Sequence, residues 1–235
     1  MRPLSSYPNP RLRGWRLGDG IQPPSLWYRW IRFVLQVTIS PAWKVRVFNR
    51  HYEPAEGGVL YICNHQSFLD PVLMSFALRR PVNYMARDSL FYFPVFKQLI
   101  RSVNAFPVRR ATADLGALKE AMRRIRDGGQ VVVFAEGTRT ADGRIGPLLP
   151  GVAMLAQRVA RWTVPVVIEG AFEAWPRTLA LPRPGSVIVQ YAPPIPREEA
   201  QELPSQEFVD RVRRTLIEIQ ADIRRRVGKG PLRYD

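Results

Sequence analysis

Residues 59–71 read VLYICNHQSFLDP: five apolar residues, a polar turn carrying Asn64, His65, Gln66 and Ser67, and then Asp70 and Pro71. An unbroken apolar run of five, closed by a polar turn, predicts a strand buried on both faces, as parallel sheets require. Pro71 suits the first helical position and Asp70 its N-cap, which predicts a helix over residues 71–78. Outward from this unit the same alternation continues. Apolar runs at 82–86, 106–108, 131–134, 164–168 and 187–191 predict further strands. The stretch 114–127 predicts a helix, because Leu115, Leu118, Met122 and Ile125 share a face and Gly128-Gly129 stop it. Residues 205–227 predict a closing amphipathic helix with Phe208, Val212, Leu216, Ile219, Ile223 and Val227 on one side. Strands alternating with helices over most of 235 residues place the chain in the α/β class.

The 35 Lys and Arg residues against 20 Asp and Glu give 35 − 20 = +15, and the excess is uneven. Residues 1–52 hold nine basic groups and one acid, a local +8 that favours anionic partners such as lipid headgroups, an acidic carrier protein or nucleic acid. Residues 1–25, with five prolines and little periodicity, read as a flexible leader without the apolar core of a secretory signal. Residues 26–39 (LWYRWIRFVLQVTI) predict a helix that Pro41 ends, with Arg29, Arg32 and Gln36 as a polar stripe. Its wide apolar face, carrying Trp27, Trp30, Ile31, Val34 and Leu35, suits a helix lying on an anionic membrane surface; an ordinary core helix shows the same pattern. The longest stretch free of charged residues is 13, short of the roughly 18–20 that a membrane span needs. A single cysteine, Cys63, excludes an internal disulfide, and no second His or Cys stands at zinc-ligand spacing, so no metal is expected.

Only two histidines occur, and His65 directly follows the apolar run, where an α/β sheet presents reactive groups. A tight loop would bring the Asp70 carboxylate to one ring nitrogen, fixing the tautomer and leaving the other nitrogen as a base. A free imidazole titrates at ~6.5, so such a ring can take a hydroxyl proton near neutral pH without any protein nucleophile. Cys63 invites a nucleophile reading too, but cysteine in an apolar strand is commonly core packing. Two further strand ends carry chemistry: Ala135-Glu136-Gly137-Thr138-Arg139, and Asn104 to Arg110, which closes on two guanidinium groups suited to phosphate.

In this order the segments resemble the lysophospholipid acyltransferase family, specifically 1-acylglycerol-3-phosphate acyltransferases. Asn64, His65 and Asp70 match its NHxxxxD motif; Phe106-Pro107-Val108 and Arg110 match its second; Phe134, Glu136, Gly137, Thr138 and Arg139 match its third, with Ala135 for proline and Thr140 for serine; Val164-Pro165-Val166 matches its fourth. The resemblance covers roughly residues 26–195. It implies a mixed sheet flanked by helices, and division into a leader (1–25), an amphipathic membrane-interface helix with its connector (26–52) and the acyltransferase domain (53–235). It implies that His65 is the general base oriented by Asp70, that Arg110 and Arg139 hold the acceptor phosphate, and that Glu136, Gly137 and Thr138 shape that pocket. Arg87, near a frequent family lysine, would be a further phosphate ligand. Acyl-CoA or acyl carrier protein would be co-substrate, with no cofactor. The acceptor would be lysophosphatidic acid or another lysolipid, such as a lyso-ornithine lipid, or glycerol-3-phosphate, at the cytoplasmic membrane face. Leu90–Phe96 would line the acyl groove or pack the core. Arg109 stands where the family has an acid or amide, and Asn104 and Lys97 where it has small residues, often glycine. A basic nucleic-acid or lipid-binding module is the competing class, but residues 197–235 are nearly balanced, nine basic against eight acidic, and no nucleic-acid-binding motif is present.

Overall fold

The computed structural model describes residues 25–76, 78–109 and 114–234. The expected leader, save Ser25, and Arg110 lie outside them. Apolar segments form the strands β1 (Arg46–Phe48), β2 (Val59–Cys63), β3 (Val82–Arg87), β4 (Ala105–Val108), β5 (Gln130–Phe134), β6 (Trp162–Glu169), β7 (Ile188–Tyr191) and β8 (Ile195–Pro196). They make one sheet in the order β1-β7-β6-β2-β5-β3-β4, with β8 also on β6. β2 pairs in parallel with both β5 and β6, while β6 and β7 run antiparallel, so the expected mixed α/β sheet is what forms.

β2 is the central strand and is buried along its whole length. Its side chains alternate between two layers, as the two-residue period of a strand dictates. Leu60 and Ile62 enter a core with α4 (Leu115–Arg126), α5 (Gly151–Arg158) and α8 (Ser205–Arg226). Val59, Tyr61 and Cys63 enter the opposite core, with α2 (Asp70–Ser75). The chain leaves β2 and its neighbour β5 towards opposite layers, through α2 and α5. That parting opens a crevice at the carboxyl ends of the two strands, where α/β sheets hold ligands.

α1 (Leu26–Ala42) runs past the expected stop at Pro41, which sits inside its last turn; Trp43 N–H closes the helix on the Ile39 and Pro41 carbonyls. Its polar stripe points largely towards the protein rather than away from it. Two of the three stripe residues turn inward, Arg32 Nη1 donating to the Leu78 carbonyl (2.5 Å) and Gln36 Nε2 to that of Phe76 (2.7 Å). Tyr28 is buried beside them and accepts from Val82 N–H (3.3 Å). Ile31, Val34 and Leu35 are half-buried, whereas Trp27, Trp30, Phe33 and Val37 are exposed. No helix among the described residues is long and apolar enough to cross a membrane.

The opposite, amino-terminal end of the sheet is held by a buried cation that the sequence does not announce. Arg80, 1% exposed, donates to the carbonyls of Pro54 (3.2 Å), Gly57 (2.9 Å) and Gly128, tying the entries to β2 and β5 together. Beside it the buried Glu53 carboxylate accepts the backbone N–H groups of Arg79 and Arg80. Deleting the guanidinium orphans three turn carbonyls, that of buried Pro54 among them, and leaves Glu53 without its neighbouring positive charge. Arg80→Leu is expected to lower unfolding free energy by about 3 kcal/mol, read as a fall in the urea midpoint; an unchanged midpoint would contradict this role.

Candidate active site

The site begins where β2 ends. Asn64, buried, replaces a backbone rung with its own amide: Oδ1 accepts Ile168 N–H (2.8 Å) and Nδ2 donates to the Ile168 carbonyl (2.9 Å). This fixes the exit of β2 to β6 and turns the next residue over the crevice. His65 is then held by its main chain on both sides. Its N–H donates to Glu136 Oε1 (2.8 Å), and its carbonyl accepts Thr140 N–H (2.8 Å). The imidazole stacks on Phe134, the last residue of β5, at 4.4 Å between ring centroids.

Asp70 closes the loop. The helix it begins is shorter than the sequence predicts, ending at Ser75, and its carboxylate points backwards rather than capping that helix. Oδ2 accepts from His65 Nδ1 (2.7 Å), Gln66 N–H (2.6 Å) and Ser67 N–H (2.8 Å), and the residue is wholly buried. A carboxylate can only accept, so the proton of this bond sits on Nδ1 and the neutral ring carries its lone pair on Nε2. Nε2 has no hydrogen-bond partner among the described residues, and the side chain is only 7% exposed. The expected His65–Asp70 pair is therefore assembled.

Glu136 is brought to the same place, in a part the sequence does not show. It bridges two loops, accepting from His65 N–H and from Gly146 N–H (2.8 Å). Burial pushes its pKa up to about 6, against the lowering effect of those two N–H groups; Asp70 adds to the rise and Arg213 opposes it. Folding raises this pKa from an ordinary 4.5, so the group's contribution to stability is full below that value and lost as pH rises through about 6. The ionised form that accepts both N–H groups near neutral pH is thus held at a cost in stability. Gly137 follows with a left-handed φ of +70°, and a Cβ there would lie 3.0 Å from Leu149, so a side chain would strain this turn.

Arg139 is half-buried and lays its guanidinium 3.5 Å from the centroid of the Phe68 ring, which packs in turn against Trp175 (5.3 Å). Phe68 belongs to the His65–Asp70 loop, so the contact seats this cation beside it. Thr138 is exposed on the same turn. Arg87 ends β3 on the same edge of the sheet, two strands from β2, and is exposed. Arg109 pairs with Asp114, the N-cap of α4, at 3.7 Å, and remains largely exposed. Asn104 adopts a left-handed φ of +66°, a turn conformation glycine takes freely and asparagine tolerates, which accounts for a non-glycine residue there. Cys63 is fully buried, and burial drives its thiol pKa well up, as expected of core packing. His51 is exposed.

A further set of residues, on α8 and at the end of β6, supports the loop from behind. Glu169, at the end of β6, accepts from Gln66 Nε2 (3.2 Å), Gln220 Nε2 (2.8 Å) and Arg224 Nη1 (2.6 Å). Arg213 donates to the carbonyls of Gly146 (2.9 Å) and Ile145 (3.1 Å), fixing the loop that supplies Gly146 N–H to Glu136. One sequence signal points to this network: Gln220 sits four residues after Leu216, inside the apolar stripe. Among the described residues no cluster of three or more His, Cys, Asp or Glu is placed to hold a metal ion.

The family described as Acyltransferase matches residues 44–169, more than half of the sequence. A 1-acyl-sn-glycerol-3-phosphate acyltransferase of Cocos nucifera is 28% identical over 156 residues, 65% of this chain and 51% of that protein, so the chain spans about half the length of this relative. One of Bacillus subtilis is 28% identical over 144 residues, 61% of this chain and 71% of that protein. The crystal structure of the 1-acyl-sn-glycerophosphate (LPA) acyltransferase PlsC from Thermotoga maritima shares the fold, with a TM-score of 0.67 at 23% identity over 83% of this chain and 81% of that one. With a buried His–Asp pair at the mouth of its central strand and this family match around it, the chain belongs to the acyltransferase family.

Proposed function

We propose that the protein transfers a fatty acyl group from acyl-CoA or acyl carrier protein to the free hydroxyl of 1-acylglycerol-3-phosphate, giving phosphatidic acid. The observation that carries this reading is the 2.7 Å bond between His65 Nδ1 and Asp70 Oδ2, which leaves Nε2 as the basic atom at the crevice. Nε2 takes the proton of the acceptor hydroxyl as its oxygen attacks the thioester carbonyl. The tetrahedral adduct collapses, the carbon–sulfur bond breaks, and the departing thiolate recovers the proton from the imidazolium. An ester replaces a thioester, and the ring returns to its starting state. Asp70 stabilises the charged ring between the two steps. No cofactor enters this scheme, since the thioester itself is the activated donor.

Arg139, cradled on Phe68, supplies a guanidinium for the acceptor phosphate, with Arg87 at the same sheet edge as a further cation and Arg110 in the same role by its place in the second motif. Glu136, Gly137 and Thr138 shape the turn that carries Arg139. The outward face of α1, with Trp27 and Trp30 stacked at 5.3 Å, rests on the cytoplasmic membrane surface and brings the crevice to its lipid substrate.

Acyl-transfer assays test the chemistry. With lysophosphatidic acid and acyl-CoA, purified protein is expected to release free thiol and form phosphatidic acid, and His65→Ala to lower the rate by ~10²–10⁴-fold; a retained rate would remove the general-base mechanism. Lyso-ornithine lipid and glycerol-3-phosphate as parallel acceptors fix the headgroup. Glu136→Gln offers one acceptor oxygen to two backbone donors, which at ~1–3 kcal/mol for an orphaned group predicts a roughly 10–100-fold loss of kcat/KM. The wild-type rate should also fall as pH drops through about 6, where Glu136 takes a proton. That component should be missing from the Glu136→Gln profile, and its persistence would assign the titration elsewhere.

A further inference from the structure

α3 (Pro94–Ser102) contains no buried residue. It follows β3 at the carboxyl-terminal edge of the sheet, where His65 stands, and returns to the start of β4. Before and along it Tyr92 (74%), Phe93 (67%) and Val95 (84%) are exposed, with Phe96 and Leu99 less so. Of the expected groove or core segment Leu90–Phe96, only Phe91 is buried. A water-facing helix of this kind would carry polar residues on its outer face. Here Gln98 and Arg101 are exposed, but Val95, Phe96 and Leu99 are exposed beside them.

The patch is continuous with another. Trp27 Nε1 of α1 donates to Ser102 Oγ at the end of α3 (2.9 Å), joining the two helices on the same layer of the sheet. The outer face of α1 adds Leu26, Trp30, Phe33 and Val37, all exposed, because its polar side chains Arg32 and Gln36 are spent on the protein's own carbonyls. Single exposed apolar residues are ordinary, but a contiguous set on two adjoining helices marks an interaction surface. The charge around it is mainly of one sign: Asp88 opens the turn before α3, but no Asp or Glu occurs at residues 20–52 or 89–113, while Arg29, Lys97 and Arg101 do.

Resting on the membrane-surface reading above, we infer that the turn 92–93 and α3 form a second lipid-inserting element, coplanar with α1, so that the bilayer covers both helices. The occupant is an anionic lipid surface. Tryptophan, tyrosine and phenylalanine beside sparse cations, without acids, fit the headgroup–acyl boundary. An acidic protein partner would be met by clustered guanidiniums rather than by exposed Phe93 and Val95. The two-helix arrangement also sets the orientation: α3 begins after β3 and α1 ends beside Val187, both towards the sheet edge that holds His65, so a lysolipid can pass from the bilayer to the crevice without crossing water.

Flotation of the full-length protein with phosphatidylethanolamine–phosphatidylglycerol vesicles tests this. Four forms are compared: wild type, Phe93→Ser/Val95→Ser, Phe93→Glu/Val95→Glu and, on α1, Trp30→Glu/Phe33→Glu. Circular dichroism checks that each is folded. The α3 serine variant is expected to lose at least ~10-fold in vesicle partition and the glutamate variant more, as the α1 variant does. Loss in the α1 variant with full binding by both α3 variants would overturn the second element while leaving the membrane reading intact. Unchanged binding by all three variants would overturn both. Sedimentation of the wild type as a dimer that the α3 variants turn into monomers, with vesicle binding kept, would make a second copy the occupant and overturn the inference. So would retained vesicle binding with loss of acyl carrier protein capture.

Discussion

A single carboxylate oxygen organises this protein. Asp70 Oδ2 gathers three N–H donors, one from the His65 ring and two from the backbone of Gln66 and Ser67, in a fully buried position. Three N–H dipoles thus converge on its charge. Buried charges persist only when hydrogen bonding replaces their water. That requirement forces the six-residue loop to curl around the acid, and the curl aims the imidazole. The rest of the structure can be understood as what makes such a loop affordable: Asn64 anchors its start to β6, Glu136 and Thr140 hold the His65 main chain, and Gln66 and Ser67 tie its middle to Glu169 and the Trp175 carbonyl.

The two ends of the sheet divide labour. At the amino-terminal end Arg80 and Glu53 satisfy turn carbonyls and amides among the entries to β2, β3 and β5, which is structural work. At the carboxyl-terminal end buried Asn64, Gln66, Ser67, Thr140, Glu169 and Gln220 lead, directly or through one neighbour, to the His65–Asp70 loop. α8 belongs to both tasks: its apolar stripe packs the sheet, while Arg213, Gln220 and Arg224 reach the loops beside the crevice. On the other layer the helices α1 and α3 turn apolar side chains outward, so the molecule's two faces are chemically unlike.

Much of this was legible in the sequence. The strands β2 to β7 announce themselves as apolar runs, and the helices 115–126 and 205–226 by periodicity, because those elements are buried and burial writes a pattern. β1 and α5 leave weaker marks. β1 is a three-residue strand with exposed ends, and α5 is built on small residues such as Gly151, Ala153 and Ala156. α3 shows no buried stripe because only Ile100, itself partly buried, packs against the core. For the site, His65 and Asp70 were legible as a candidate pair from the strand end and turn, and as catalytic through the NHxxxxD resemblance. The backbone clamp of Glu136 was not, since it joins residues 71 positions apart and depends on where two loops meet. The direction of the α1 stripe was equally hidden, for Arg32 and Gln36 can face headgroups or carbonyls with the same spacing.

With only two histidines in the chain, nitrogen-15 NMR of histidine-labelled protein reads the central geometry directly. At about pH 8, above the ~6.5 of a free imidazole, His65 should show a protonated Nδ1 and an unprotonated Nε2, a locked tautomer distinct from exposed His51, and Asp70→Asn should abolish that state. A His65 ring protonated at Nε2, or averaging between the two tautomers, would contradict it.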